Sequence, residues 1–257
     1  PSEMLPMLDA LNALFARIGG LIESERRFTA DAAHELRTPI AAIRTQAQVA
    51  LGEHDDGRRR HALEATLAGC DRAARLVEQL LTLARLEAGA APATAGVACG
   101  ALARSVLAEL AGRAHDKAQE IELDTEGGAA EGAPSDCTVR GDATLLGMLV
   151  RNLVDNAIRY SPRGARVRGR VRRRGPLAVL CVEDSGPGLD EAQMARLGER
   201  FFRVLGSAES GSGLGWSIVR RIAQAQHLSV QVRRSADLGG LAVEVAGPAA
   251  TIGPEST

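Results

Sequence analysis

Leu63, Leu67, Cys70, Ala74, Val77, Leu81 and Ala84 follow one another at steps of four, three, four, three, four and three residues. Small and apolar side chains recurring at that period form a seam along one side of an α-helix, and such a seam packs against other helices. An earlier stretch, residues 4–51, keeps the same rhythm. Its positions are Leu14, Ile18, Leu21, Glu25, Phe28 and Ala32 before Pro39, then Ile40, Ile43, Ala47 and Ala50 after it. Between the two lies "GEHDDGRRR", residues 52–60, a polar stretch with two glycines that reads as a turn. The chain therefore opens with a helical hairpin. A hairpin with apolar seams cannot cover both helices by itself, but two hairpins can, as a four-helix bundle. The expectation is an all-α homodimer through residues 1–88, with residues 1–25 a signalling coil and residues 26–88 the hairpin proper.

Residues 89–101 are small, with proline and glycine, and read as a linker. Beyond them the period changes. A short helix is expected from Leu102 to Ala114, strands near Ile121 and Val139, and a helix capped by Asp142 and stopped by Ser161-Pro162. "ARVRGRVRRR" alternates, with Val167, Gly169 and Val171 on one face and arginines on the other. "LAVLCVED" reads as a buried strand, Leu214 to Gln226 as a helix, and "LSVQVRR" and "LAVEVA" as closing strands. Mixed helices and mostly antiparallel strands give an α+β sandwich over residues 102–247, followed by a tail, residues 248–257.

Bulk properties exclude several function classes. Basic residues number 31 and acidic residues 32, a formal net charge of −1, which offers no whole-chain argument for nucleic acid or an anionic membrane. The arginine-rich strand has no interleaved aromatics to stack on bases, so it reads as the solvated outer face of a sheet, and no nucleic-acid partner is expected. The four cysteines stand singly, with no metal-ligand or disulfide spacing, which fits a reducing compartment. No apolar run is long enough to cross a bilayer. The chain begins with Pro1, so the expectation is a piece of something longer, attached to a membrane only through segments outside this sequence.

"FTADAAHELRTPI", Phe28 to Ile40, places a proline inside an otherwise helical pattern. At about 100° per residue, with Phe28 at zero, the seam clusters around roughly 60° and His34 falls near about 240°. Thr38 lies one turn on, about 40° from His34 on the same outer face. An exposed histidine is ordinarily just surface. Pro39 argues for more, because it removes the backbone bond to the carbonyl of Glu35 and crowds that turn. An imidazole whose Nδ1 proton is held by a carboxylate offers a free Nε2 lone pair as nucleophile. Glu35 is of the right type for that, or is a solvated acid, since neighbours at i and i+1 do not face each other on a helix.

Further on, "RNLVDNAIRY" puts Asn152 and Asn156 one turn apart, with Arg159 and Tyr160 following. Two amide oxygens on one face suit a hard cation such as Mg²⁺ that bridges phosphates, with Arg159 as a phosphate contact; equally, paired asparagines are polar surface. "VEDSGPGL" ends a strand with Asp184, Gly186 and Gly188, a carboxylate for an exocyclic amine and glycines that let backbone approach a flat ligand, or else a tight turn. "GSGLGWSIV" carries Gly211, Gly213, Leu214 and Gly215 at a helix start, where backbone amides cradle phosphate. Between the glycine clusters, "FFRVLGSAESGS" reads as a short lid.

Taken in order, these segments resemble the boxes of bacterial two-component sensor histidine kinases of the QseC and PmrB type, over essentially all of residues 1–247. "FTADAAHELRTPI" is similar to the phosphoacceptor box and "NLVDNAIRYSP" to the asparagine box. "DSGPG" and "GSGLGWSIV" are similar to the glycine boxes and "RFFRV" to the phenylalanine box. The resemblance implies a Bergerat-type (GHKL) ATP-binding sandwich after the bundle. It implies that His34 is phosphorylated at Nε2 from ATP, with Glu35 as general base, and that Thr38 orients water for phosphatase activity. It implies Asn156 as Mg²⁺ ligand with Asn152 in support, Arg159 on phosphate and Tyr160 against the nucleotide. Asp184 would take the adenine amine, with Gly186, Gly188, Gly211, Gly213, Leu214 and Gly215 shaping the pocket. It further implies a homodimer, a response-regulator receiver domain as partner, and the cytoplasmic portion of an inner-membrane protein. A non-catalytic ATP-binding scaffold is the alternative. Trp216 departs from the family pattern, which usually has a small aliphatic residue there.

Overall fold

A computed structural model of the chain describes residues 4–87, 95–125, 137–197 and 214–250, except for certain side chains on the first two helices, that of His34 among them. It divides into two compact units, Pro1–Leu81 and Thr82–Thr257.

The first unit is the hairpin. Helix α1 (Met4–Gly52) runs through Pro39 without a break, and α2 (Asp56–Glu87) follows. The turn is shorter than its composition suggests: residues 56–60 are already helical. Asp55 Oδ1 accepts from Arg58 N–H at 2.8 Å, a cap that starts the helix early, and Asp56 adds a carboxylate to its first turn. The glycines on α2 are not equivalent. A Cβ at Gly69 would stand 2.7 Å from Ile43 Cγ1, so α1 and α2 approach closely there.

The hairpin closes on a row that the sequence reading did not single out. Ala62, Gly69, Leu76 and Leu80 are buried, one position before the expected seam. The expected seam itself faces outward, with Leu63 50%, Leu67 66%, Val77 41% and Leu81 53% exposed. Helix α2 thus carries two adjacent rows of small and apolar residues, and α1 of the same chain covers only one of them.

In the second unit, β1 (Ala95–Ala98) pairs antiparallel with β3 (Thr138–Gly141). Helix α3 (Cys99–Asp116) leads to β2 (Glu120–Thr125), and α4 (Ala143–Tyr160) to the hairpin of β4 (Arg166–Arg174) and β5 (Leu177–Asp184). The one-turn helix α5 (Glu191–Arg196), α6 (Gly215–Ala225), β6 (Ser229–Arg234) and β7 (Leu241–Pro248) complete it. Residues 95–101, assigned to a linker on composition, are thus strand and helix start. Pairing with β3 orders them despite their small side chains. Five strands form one sheet in the order β2-β4-β5-β7-β6, parallel only between β2 and β4. Helices α3, α4 and α6 cover one face, and Gly169 of β4 makes room there for Leu107 and Leu123.

On the opposite face the arginines of β4 are not simply solvated. Arg168 pairs with Glu122, and Arg170 with Asp237. Arg174 reaches Glu244 at 2.5 Å. Arg170 Nη1 also stands 3.1 Å from Glu183 Oε2, an ion pair without hydrogen-bond geometry, and Glu183 is 2% exposed. A buried carboxylate tolerates ionisation only with a counter-charge beside it. Arg170→Met should therefore lower unfolding stability by about 3 kcal/mol, seen as a reduced urea midpoint with an unchanged slope. An unchanged midpoint would show that Glu183 does not need this partner.

Candidate nucleotide site on helix α4

Helix α4 starts at a strong cap. Asp142 Oδ1 accepts from the N–H groups of Thr144 at 2.9 Å and Leu145 at 3.1 Å. Its apolar residues Leu146, Leu149, Leu153 and Ile158 are buried, which fixes the rotation of the helix. That rotation brings Asn152 and Asn156 to the start of α6. Asn152 Nδ2 donates back to Met148 O at 2.7 Å, leaving its oxygen toward Gly215. A Cβ at Gly215 would lie 3.2 Å from Asn152 Oδ1, 3.3 Å from Asn156 Nδ2 and 3.4 Å from Asn156 Oδ1. Only glycine leaves that space open. Asn156 Nδ2 is buried with no hydrogen-bond partner, a cost of about 1–3 kcal/mol for the desolvated group. The amide oxygens and the open cradle suit an oxygen-liganded cation held mainly by phosphates and water.

Asp184 ends β5. Its Oδ1 accepts from Gly186 N–H at 2.8 Å and Leu241 N–H at 3.2 Å, and its main-chain carbonyl accepts from Gly240 N–H at 3.1 Å. Both side-chain bonds fall on Oδ1, so neither engages Oδ2. Glycines are needed around it for space: a Cβ at Gly186 would meet Asp184 Oδ1 at 2.9 Å, and a Cβ at Gly240 would collide with the same carboxylate. Gly188 is required for conformation, at φ +72°. Tyr160, Ser161, Pro162, Ser185, Gly186 and Pro187 line an open groove of about 520 Å³ beside it. The Ser161 hydroxyl is buried there without a partner.

The remaining expected residues are placed unevenly. Arg159 pairs with Asp155 at 3.3 Å, a carboxylate that Arg113 also holds, so its charge is already engaged. The Leu214 side chain is fully buried, and its carbonyl accepts from Ser217 Oγ and Ile218 N–H. Trp216 is half-buried in the first turn of α6. Gly211, Gly213 and the lid and phenylalanine-box segments lie outside the described residues. On α1, Glu35 is half-buried and Thr38 exposed, whereas the His34 side chain lies outside the described residues. Gly240 and Leu241 were missed by sequence reading. "LGGLAV" signals a turn before a strand, but nothing in it says that the turn abuts Asp184.

Burial pushes the Asp184 carboxyl above its ordinary range, against the two N–H bonds, which pull it down. A carboxyl with a raised folded pKa favours folding at low pH, and that contribution is lost as pH rises through the folded pKa. Asp184→Asn keeps an oxygen for both N–H bonds and removes the ionisation. Without nucleotide it should melt at or above the wild-type temperature at pH 7, with the difference closing as pH falls toward the ordinary carboxylate range. A lower melting temperature at pH 7 would contradict this.

Comparison with known proteins finds relatives for both units. Residues 24–89 match the family described as "His Kinase A (phospho-acceptor) domain", and residues 141–250 match "Histidine kinase-, DNA gyrase B-, and HSP90-like ATPase". The chain is 42% identical to the sensor protein QseC of Salmonella typhi over 245 residues, 95% of this chain and 52% of that protein. It is 39% identical to the sensor protein kinase PmrB of Pseudomonas aeruginosa over 247 residues, 95% of this chain and 50% of that protein. It thus spans about half the length of the curated relatives it matches. Among solved structures, the mycobacterial sensor histidine kinase MprB is 30% identical with a TM-score of 0.51, covering 60% of this chain and 97% of that one. A histidine kinase ThkA, solved in complex with the response regulator protein TrrA, shares the fold at 20% identity and a TM-score of 0.63, covering 86% of this chain and 61% of that one. A phosphoacceptor hairpin followed by an ATPase sandwich, in a chain this similar to QseC and PmrB, belongs to the two-component sensor histidine kinases.

Proposed function

We propose that this chain binds ATP on the α4–α6 face and transfers the γ-phosphoryl group to His34, then to an aspartate of a response regulator. The observation that carries the reading is the meeting of Asn152 and Asn156 at Gly215, with the Asn156 Nδ2 orphaned. Tyr160, eight residues from Asn152 and four from Asn156, about 12 Å and about 6 Å along a helix axis, lines the groove beside Gly186. That span matches a nucleoside triphosphate lying along α4, phosphates at the asparagines and base at Asp184. Asp184 accepts the exocyclic amine of adenine, and Gly186 and Gly188 admit the ring. Backbone amides at the start of α6, from Leu214 and Gly215, would cradle the phosphates. Arg159 joins them only by exchanging Asp155 for phosphate. Asn156 Oδ1, supported by Asn152, would hold Mg²⁺, which when bound would neutralise phosphate charge.

In the transfer, the bond forming is His34 Nε2 to the γ-phosphorus and the bond breaking is that phosphorus to its bridging oxygen, with ADP leaving. Glu35 holds the Nδ1 proton, which keeps Nε2 free for attack. Thr38, exposed one turn away, orients water in the reverse, phosphatase direction. Support for a regulator as partner comes from the ThkA fold relative, solved with TrrA. The chain is read as the cytoplasmic portion of a membrane sensor.

The outward seam of α2 supports a homodimer through the hairpin. Leu63, Leu67, Val77 and Leu81 are each about half exposed, so covering the remainder with a second copy is worth on the order of 1 kcal/mol each. Leu67→Glu should convert a dimer to a monomer in sedimentation velocity while leaving the second unit folded; a dimer that persists would move the interface elsewhere. The transfer itself is tested by incubation with radiolabelled ATP and Mg²⁺. Acid-labile, alkali-stable label is expected on the wild type and none on His34→Ala, and label retained by His34→Ala would refute the acceptor.

A further inference from the structure

The turn that makes the Tyr160–Pro162 wall of the groove is clasped from behind by two side chains that belong to no motif. Helix α3 ends with Gln119 N–H donating to Ala114 O at 2.9 Å and Ala118 N–H to His115 O at 2.8 Å, the crossed pair of a Schellman cap. Ala118 takes the left-handed conformation this cap needs, at φ +49°. The cap aims Lys117 and Gln119 at the C-terminal end of α4. Lys117 Nζ donates to the carbonyls of Arg159 at 2.7 Å, Ile158 at 3.3 Å and Ser161 at 3.4 Å. Gln119 Nε2, buried, stands 3.0 Å from the carbonyls of Ile158, Ser161 and Pro162. Main-chain bonds from Gly164 N–H to Lys117 O and from Glu120 N–H to Ala165 O fasten the same two turns together.

The carbonyl of Tyr160 is missing from this set. It faces the other way, 3.4 Å from the position of a Gly186 Cβ, with Ser161 Oγ at 3.2 Å from the same point. The clasp thus occupies the back of the turn and leaves its front to the groove. It is also more than the helix needs in order to stop, since Ser161-Pro162 already ends it and Ser161 N–H is satisfied by Ala157 O at 3.2 Å. An ammonium at a helix C-terminus is held by the helix dipole as well as by the carbonyls, so its grip is directional and strong.

We propose that Lys117 and Gln119 are positioning residues for the nucleotide, holding the Tyr160–Pro162 wall at the spacing from Gly186 that the ligand requires. The inference rests on the nucleotide reading of the groove. Because neither side chain is assigned to the phosphates or to His34, loss of the clasp should weaken ground-state and transition-state binding alike. KM for ATP then rises and kcat does not fall.

Tyr160 is the only tyrosine in the chain, so 3-fluorotyrosine gives a single fluorine resonance from the wall itself. The full chain would be compared as wild type, Lys117→Met, Lys117→Arg and Val245→Ala, the last a core truncation on β7. In Lys117→Met the resonance should shift without nucleotide and Mg²⁺–ADP should bind about tenfold more weakly, the loss expected for one charge-assisted bond. Autophosphorylation at saturating ATP should stay within about twofold of wild type. Lys117→Arg should restore most of the affinity, and Val245→Ala should lose melting temperature with neither resonance nor affinity changed. A wild-type resonance and affinity in Lys117→Met would overturn the proposal, as would an equal loss of affinity in Val245→Ala. If Lys117→Met does not fold, Gln119→Met carries the same comparison. If the wild type itself binds no ADP, the nucleotide reading falls, and the resonance measured without nucleotide still decides the clasp.

Discussion

Helix α4 is gripped at both ends by glutamines that sit at the ends of its neighbours. At the start, Gln226 from the end of α6 accepts from Asp142 N–H at 2.9 Å; at the finish, Gln119 Nε2 from the end of α3 stands within hydrogen-bond distance of three carbonyls. Each glutamine leaves its other amide atom buried and unpartnered, Nε2 on Gln226 and Oε1 on Gln119. That is a cost accepted at both places to fix one helix. Both glutamines stand beside a left-handed residue that closes its helix, His227 at φ +54° and Ala118 at φ +49°. Three helices are therefore locked in mutual register. Without that register Asn152 and Asn156 would not meet Gly215, and Tyr160 would not stand across from Gly186.

The base end of the site depends on charge buried on the far side of the same sheet. Alternation along β5 sends Glu183 and Asp184 to opposite faces. Glu183 is anchored by Arg170 and by Ser235 Oγ, which donates to Glu183 Oε1 at 3.2 Å. Ser235 in turn bonds the main chain of the turn before β7, accepting from Leu238 N–H at 3.0 Å and donating its own N–H to Gly240 O at 2.8 Å. That turn supplies the Gly240 N–H that bonds the Asp184 carbonyl and leads into Leu241, whose N–H bonds its carboxylate. The arginine face of β4 thus acts through the sheet: it supports the Asp184 carboxylate.

Much of this was legible in the sequence wherever one residue type has one local job. Asp142 as a cap, Ser161-Pro162 as a stop and the alternation of β4 were read correctly because each is settled by its neighbours in the chain. The asparagine face of α4 was legible because two amides one turn apart share a side of a helix. What escaped depended on partners distant in sequence. Strand β1 looks like linker until β3 pairs with it, and Gly240 looks like a turn residue until Asp184 lies against it. Lys117 and Gln119 carry no pattern at all. The α2 seam was the instructive case: the period was right, but a helix with two apolar stripes does not say which one its own chain covers. Arg159 shows the same limit, since only the fold reveals that Asp155 already holds it.

The central claim is that a nucleotide lies along α4, with its base at Asp184 and its phosphates at the two asparagines. A crystal structure of the chain with Mg²⁺ and a non-hydrolysable ATP analogue tests it most directly. The account predicts the exocyclic amine within hydrogen-bond distance of Asp184, the ring between Tyr160 and Gly186, and Asn156 Oδ1 coordinating the Mg²⁺ that bridges the phosphates. An analogue bound away from α4, or with its base turned from Asp184, would contradict it.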